Sequence, residues 1–378
     1  MRILYLMVLG GILLAPAGRA ATYYVAPDGD DSWNGTPDAP FRTLMRGALA
    51  AEPGDTVMVR DGRYGHESAV NGGDNANFAS SPVVLHRSGT PAAWITFQAE
   101  HKGAAVLDCE LVCDSYIDLL NASYIVIQGF VITRGYKEGI HSNDAAHNII
   151  LRGNRIEFIG NRSTSTRMGL DGLYTNPNCH DFLIDGNVFH DIGRTNPSQL
   201  DHGLYLRGSN FTVTNNVFYN IGRGWSIQMA DGLSNVVIAN NTFVFPNETN
   251  RGGQIMLWNT QSNIVIQNNI FYRPVGYAIA RFRSSVSGCA IDHNLLFGAS
   301  AMMADSSGCT LDSSNQIGGD PMFANPWLPP YDFHLQASSP AIGAGTSQGA
   351  VTVDFDGNAR VSGSALDIGA YAFTPAAP

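Results

Sequence analysis

The sequence predicts an all-β solenoid: a single-stranded right-handed parallel β-helix with a short N-terminal capping helix. Three observations predict it. A strand-then-asparagine pattern recurs through the middle of the chain. A second short strand precedes each copy. The composition suits strands and turns, with charged residues at only 14% and 41 glycines in 378 residues. A solenoid also lets a chain of this length form one domain, because it grows by adding rungs.

The pattern reads NIILRGNRIEFIG from Asn148, DFLIDGNVFHDIG from Asp181, NFTVTNNVFYNIG from Asn210, NVVIANNTFVFPN from Asn235 and NIVIQNNIFYRPV from Asn263. A degenerate copy, GCAIDHNLLFG, starts at Gly288, and an earlier one, YIVIQGFVITRG, at Tyr124. The six copies from Asn148 onward start 33, 29, 25, 28 and 25 residues apart, which is one structural turn plus loops of variable length. Within each copy apolar residues alternate with polar ones, as in a strand with one buried face. Each then reaches an asparagine: Asn154, Asn187, Asn216, Asn241, Asn269 and Asn294. These are expected to take left-handed backbone geometry at a tight corner and to bond amide to amide from rung to rung.

The ends read differently. Arg2, the apolar stretch Ile3 to Ala15 and Gly18-Arg19-Ala20 form a secretory signal, with cleavage expected after Ala20 and a β-helix domain over 21–378. The product is expected outside the cytoplasm, periplasmic or extracellular, with no membrane association after cleavage and as a monomer. A cap over about 40–53 contains an amphipathic helix, LMRGALAA, capped by Thr43 and ended near Pro53-Gly54. Residues 299–337 are turn-rich and finish the solenoid. SSPAIGAG from Ser338 and DIGAYAF from Asp367 read as a closing segment over about 338–373. Cys109 with Cys113 and Cys289 with Cys309 are the natural disulfide pairs, leaving Cys179 odd. No Cys/His zinc spacing occurs.

The formal charge is −10, and loss of Arg2 and Arg19 brings it to −12. That argues against nucleic acid as a partner, since phosphate binding wants a basic face. An acidic sugar polymer stays open, because a local arginine cluster overrides the net field.

Residues 22–373 resemble the pectate-lyase-like superfamily of parallel β-helix proteins. The resemblance rests on the opening YYVAPDGDDSWNGTPDAPFRTL, on PGDTVMVRDGRY, and on the closing SPAIGAG and DIGAYAF. It implies the fold and an extracellular polysaccharide partner. It does not choose an activity, because the fold hosts lyases, hydrolases, esterases, epimerases and binding proteins.

Candidate chemistry sits on the strands that precede the repeats: EGIHSN, DGLYTN, HGLYLR, WSIQMA, GQIMLW and YAIARF. Aligning Ile140, Leu173, Leu204, Ile227, Ile255 and Ile279 stacks three columns. One holds Glu138, Asp171, His202 and Trp225. The next holds His141, Tyr174, Tyr205 and Gln228. The third holds Asn143, Asn176, Arg207 and Ala230. Catalytic residue types fill three consecutive rungs and then give way to Met256, Ala280 and Phe282. Strict alternation would turn Glu138, Asp171 and His202 inward, at a cost of several kcal/mol unless paired. The expectation is therefore that each strand begins at the following glycine and leaves this column on an outward corner. The tyrosines are expected to face outward. Loops 161–170 and 194–200 would wall a cleft and bring Arg162, Arg167 and Arg194 beside Arg207 and Lys137.

The leading expectation is a lyase that cleaves a uronate polymer by β-elimination. His202, held by Asp171, would be the base, and Tyr205 or Tyr174 the acid, with His141 and Glu138 in the same constellation. Arg207, Lys137, Arg167 and Arg194 would neutralise the carboxylate, while Asn176, Gln228 and Trp225 contact sugar. The stretch 136–207 is also partly similar to mannuronan C5-epimerases, with Asp171 and His202 at matching positions. Those enzymes carry Asp-Pro-His on the preceding rung, where this chain has His141-Ser142-Asn143. Many pectate lyases of this fold use a calcium cluster of aspartates with a Lys or Arg base. Here the aspartates do not cluster in the sequence, and the mature chain has only Lys102 and Lys137. No cofactor is therefore expected, with calcium left open. Two further classes remain: a glycoside hydrolase using Glu138 with Asp171, or with Asp201, as its carboxyl pair, and a non-catalytic glycan-binding protein.

Overall fold

The computed structural model describes residues 20–65, 81–160, 169–193, 200–221, 224–246, 252–347, 351–360 and 365–375. The predicted signal segment lies outside these apart from Ala20, as do Arg162, Arg167 and Arg194.

The described chain is a right-handed parallel β-helix with three faces, each a stack of strands from successive turns. The first face contains Ile117–Leu120, Glu138–Asn143, Leu170–Thr175, Asp201–Leu206 and Ile227–Met229. The second contains Ser123–Gln128, His147–Arg152, His180–Asp185, Ser209–Thr214 and Ser234–Ala239. Two long strands, Ile255–Gln267 and Tyr277–Asp292, run through the corner and join these faces into one 18-stranded sheet. The third face is a separate sheet of ten strands. All pairing between turns is parallel, and each strand satisfies its neighbours' backbone groups.

Alternation puts one apolar residue in two inside, and stacking brings like onto like. Phe189, Phe218, Phe243 and Phe271 form a continuous interior stack with ring centroids 5.0–5.1 Å apart. Each fully buried ring of this kind contributes roughly 1.5–3 kcal/mol relative to exposure.

The asparagine ladder exists, with one correction. Asn154, Asn187, Asn216, Asn241, Asn269 and Asn294 are all buried. Each of the first five donates its backbone N–H to the Oδ1 of the next, at 2.8–2.9 Å. The left-handed corner residue, however, is the one before: Gly153, Gly186, Asn215, Asn240, Asn268 and His293. That residue turns the chain, and the ladder asparagine then satisfies the groups the turn leaves exposed in the interior.

The capping helix is Leu44–Ala50, and Thr43 accepts the Arg46 N–H as its N-cap. Leu44 and Ala48 join the main core, so the helix covers the first turns. The disulfides Cys109–Cys113 and Cys289–Cys309 are formed, and Cys179 is free and buried. The C-terminal segment does not simply end the stack. An antiparallel pair, Phe323–Asn325 with Asp332–Leu335, and parts of 341–347, 351–360 and 365–371 fold back along the third face. There Phe333, Ile368 and Tyr371 cover Val217, Val244 and Ile270. Asn240 donates to the Asp367 carbonyl and Arg360 to Asn215 Oδ1, so the tail is held by the corner it passes. No helix among the described residues is long and apolar enough to cross a membrane.

Candidate active site

The strands of the first face pair in the register expected from sequence. Ile140 sits on Leu173, then Leu204, Ile227, Ile255 and Ile279. Two sets of titratable residues follow from that register, one buried and one partly exposed.

Glu138, Asp171 and His202 stack on consecutive rungs and are buried. The expected strand start is corrected, since the strands begin at Glu138, Leu170 and Asp201, ahead of the glycines. It is the glycines that turn to the core, where a Cβ on Gly139, Gly172 or Gly203 would meet Ile156, Phe189 or Phe218, while His202 lies against Tyr205 at 5.6 Å on the other side and is covered there. The glycines have their own reason: a Cβ on Gly203 would lie 2.6 Å from the Ser226 carbonyl oxygen. His202 is fully buried. Its Nδ1 accepts the Trp225 backbone N–H at 3.1 Å, and its Nε2 has no hydrogen-bond partner. Asp171 accepts the backbone N–H of His202 at 3.1 Å, so that carboxylate oxygen serves the main chain and not the imidazole. Burial pushes the His202 imidazole down to about 3 and the Glu138 carboxyl up to about 8, the latter partly offset by Lys137. The placement of His202 as base, oriented by Asp171, is overturned by this geometry. The carboxyl groups expected for a hydrolase pair, Glu138, Asp171 and Asp201, are all buried. Trp225 is buried too, stacked on His202 at 5.5 Å with its indole N–H on the Gly252 carbonyl, so it offers no face to a sugar. Gln228 is also almost covered.

The outward column is Asp118, His141, Tyr174 and Tyr205. His141 meets Tyr174 edge-on at 5.3 Å, and Tyr174 stacks on Tyr205 at 5.3 Å. All three rings are partly exposed. Arg207 Nη1 donates to the Tyr174 hydroxyl at 3.3 Å. Asn176 donates to Asn143 Oδ1 at 3.2 Å, which places two amides beside the rings on the Arg207 side. On the other side Lys137 is paired with Asp114. Burial, with Lys137 nearby, lowers the His141 pKa and keeps its imidazole neutral, a state that accepts a proton. Burial raises the Tyr205 phenol.

Asp118 was missed by the sequence reading. Its Oδ2 lies 3.8 Å from His141 Nδ1, its carboxylate accepts both of its side-chain hydrogen bonds from Asn143 Nδ2, and burial raises its pKa to about 7. The signal was present. Extending the aligned columns one rung back, through YIDLL, puts Ile117 under Ile140 and Asp118 under His141.

On this face Asp114 pairs with the Lys137 ammonium and Asp118 accepts from the Asn143 amide. Among the described residues, the acid and imidazole ligand atoms that do converge are those of Asp61, Glu100 and His101, exposed at a different corner.

Comparison with known proteins places this geometry in context. A family model described as Pel9A-like, right handed beta helix region, matches residues 23–234, and a general right-handed β-helix model matches residues 161–318. The uncharacterized protein YwoF of Bacillus subtilis is 30% identical over 128 residues, covering 30% of this chain and 24% of that protein. Pectate lyase PEL9 of Emericella nidulans is 30% identical over 106 residues, covering 28% of this chain and 23% of that protein. The matched stretches thus span about a quarter of those relatives' lengths. The crystal structure of pectate lyase Pel9A superposes with a TM-score of 0.62 at 17% identity, over 94% of this chain and 96% of that one. At that identity the likeness is one of fold.

Proposed function

The chain belongs to the Pel9A-like right-handed β-helix family, and from that premise we propose that it is a secreted polysaccharide lyase acting on a uronic-acid polymer by β-elimination. The observation that carries this reading is the outward ladder His141–Tyr174–Tyr205 with Arg207 hydrogen-bonded to the Tyr174 hydroxyl. A uronate needs three things from an eliminating site, and this face supplies each. Arg207 pairs with the sugar carboxylate, which makes the C5 proton more acidic. Neutral His141 takes that proton. The electron pair left on C5 forms the C4–C5 double bond as the C4–O bond breaks. Tyr174, whose hydroxyl is fixed by Arg207, gives its proton to the departing oxygen. Family membership and the similarity to a pectate lyase support a polysaccharide partner. C5 epimerisation shares the proton abstraction and differs only in returning a proton to C5.

The test is absorbance near 235 nm with purified protein and a panel of uronate polymers. A rise with galacturonan or alginate, lost in His141→Ala and Tyr174→Phe, supports elimination. No rise, with C5 inversion seen by NMR, replaces it by epimerisation. No chemical change to any polymer rejects both.

A further inference from the structure

Two rungs beyond Arg207 the same face changes character. The column of Asn143, Asn176 and Arg207 continues through Ala230 to Trp258 and Phe282. The Trp258 and Phe282 rings stack at 4.6 Å with planes 23° apart, and both are partly exposed. Packed against them on the same face are buried Trp225, Met256 and Ala280, a small apolar cluster separate from the main core. Trp225 is pinned by its bond to the Gly252 carbonyl, so the pair rests on a fixed base. The exposed Arg283 guanidinium lies 5.2 Å from the Phe282 ring centroid. The pair thus presents partly exposed aromatic rings on an apolar base, in line with the polar donors of the same column.

The chemistry of the pair selects its occupant. An aromatic face carries negative quadrupole density and attracts the polarised C–H groups of a pyranose ring. Arg283 at the edge suits a carboxylate on that ring. At the spacing of neighbouring strands, the step from Arg207 to Trp258 is roughly 10 Å along the helix axis. Ala230, between them, projects only a methyl group. We propose that Trp258 and Phe282 form a uronate-stacking subsite for the same polymer, which lies along the helix axis with its reacting residue over His141 and Arg207. This rests on the reading of the first face as a polysaccharide site.

Galacturonate and mannuronate oligomers of two and six residues test it. Trp258→Ala is expected to raise KM for the hexamer about tenfold with kcat nearly unchanged, and to leave the dimer untouched. Phe282→Ala should act in the same direction. Trp258→Phe, which keeps a ring, should restore most of the loss, and thermal melts check that each variant is folded. Equal effects on dimer and hexamer, or none on the hexamer, overturn the subsite. Calorimetry in a Tyr174→Phe background separates the two readings. Hexamer binding that depends on Trp258, with no oligomer cleaved by the parent protein, keeps the subsite and rejects elimination. Cleavage indifferent to Trp258 rejects the subsite and keeps elimination. Neither binding nor cleavage in either series rejects both.

Discussion

Strands Glu138–Asn143, Leu170–Thr175 and Asp201–Leu206 carry two columns of reactive side chains three positions apart. Glu138, Asp171 and His202 make one, and His141, Tyr174 and Tyr205 the other. Both hold residue types used in acid–base catalysis. They differ in cover: the first is buried and the second partly exposed. Under cover, the groups are pushed toward their neutral forms and spend hydrogen bonds on backbone. In the other column, partly exposed rings stack and a guanidinium fixes one hydroxyl. Residue type alone does not mark chemistry on a solenoid; residue type with access does.

The largest expected effect tests that claim directly. His141→Ala or Tyr174→Phe should lower kcat by about 10²–10⁴-fold, the usual worth of a positioned acid or base, with little change in melting temperature. His202→Ala should do the reverse. It opens a cavity between Trp225 and Tyr205 and strips the partner from the Trp225 N–H. A loss of about 2–4 kcal/mol in urea unfolding is expected, with kcat within tenfold of the parent. A fully folded His202→Ala protein that has lost its activity would break the comparison.

His202 and Glu138 also predict opposite pH slopes. The native His202 pKa is near 3, below the ordinary 6.5, so the unfolded chain binds more protons between them and stability rises with pH across that window. The native Glu138 pKa is near 8, above 4.5, so the native state binds more protons and stability falls as pH rises from about 4.5 to 8. Glu138→Gln should flatten that second limb, and the gain over the parent should be largest above about pH 8. Melting temperatures across pH 4–9 read it. An unchanged slope would mean that Glu138 does not resist ionisation and is not sealed inside.

The register of the first face was legible because Ile140, Leu173, Leu204, Ile227, Ile255 and Ile279 repeat at the same offset from each following asparagine. The burial of Glu138, Asp171 and His202 was not. A buried Glu, Asp and His violate the apolar rule that parity is usually read from, and their partners, such as the Trp225 N–H, belong to other turns. The following glycines suggested strand starts, whereas their role is to let neighbouring backbone approach. The folded-back tail was hidden for a similar reason. Asn240 meets Asp367 across 127 residues, and no local pattern encodes that contact.

The smallest expected effect concerns Asp118, the covered first member of the outward column. Its position is outward by alternation, yet it is buried and its carboxyl is raised to about 7. At 3.8 Å from His141 Nδ1 it is too far for a hydrogen bond, and its hydrogen-bond partner is the Asn143 amide. It should therefore influence His141 through charge only. Its ionised form favours protonated His141, and that form is present only above about pH 7. Asp118→Asn keeps an acceptor for Asn143 and removes the charge. Less than a tenfold fall in kcat/KM at pH 8 is expected, with the acid limb made shallower and set by His141 alone. A pH–rate profile from 5 to 9 measures both. A loss as deep as that of His141→Ala would put Asp118 among the groups that move the proton. The working unit would then begin one rung earlier and include a carboxyl held under cover beside its imidazole.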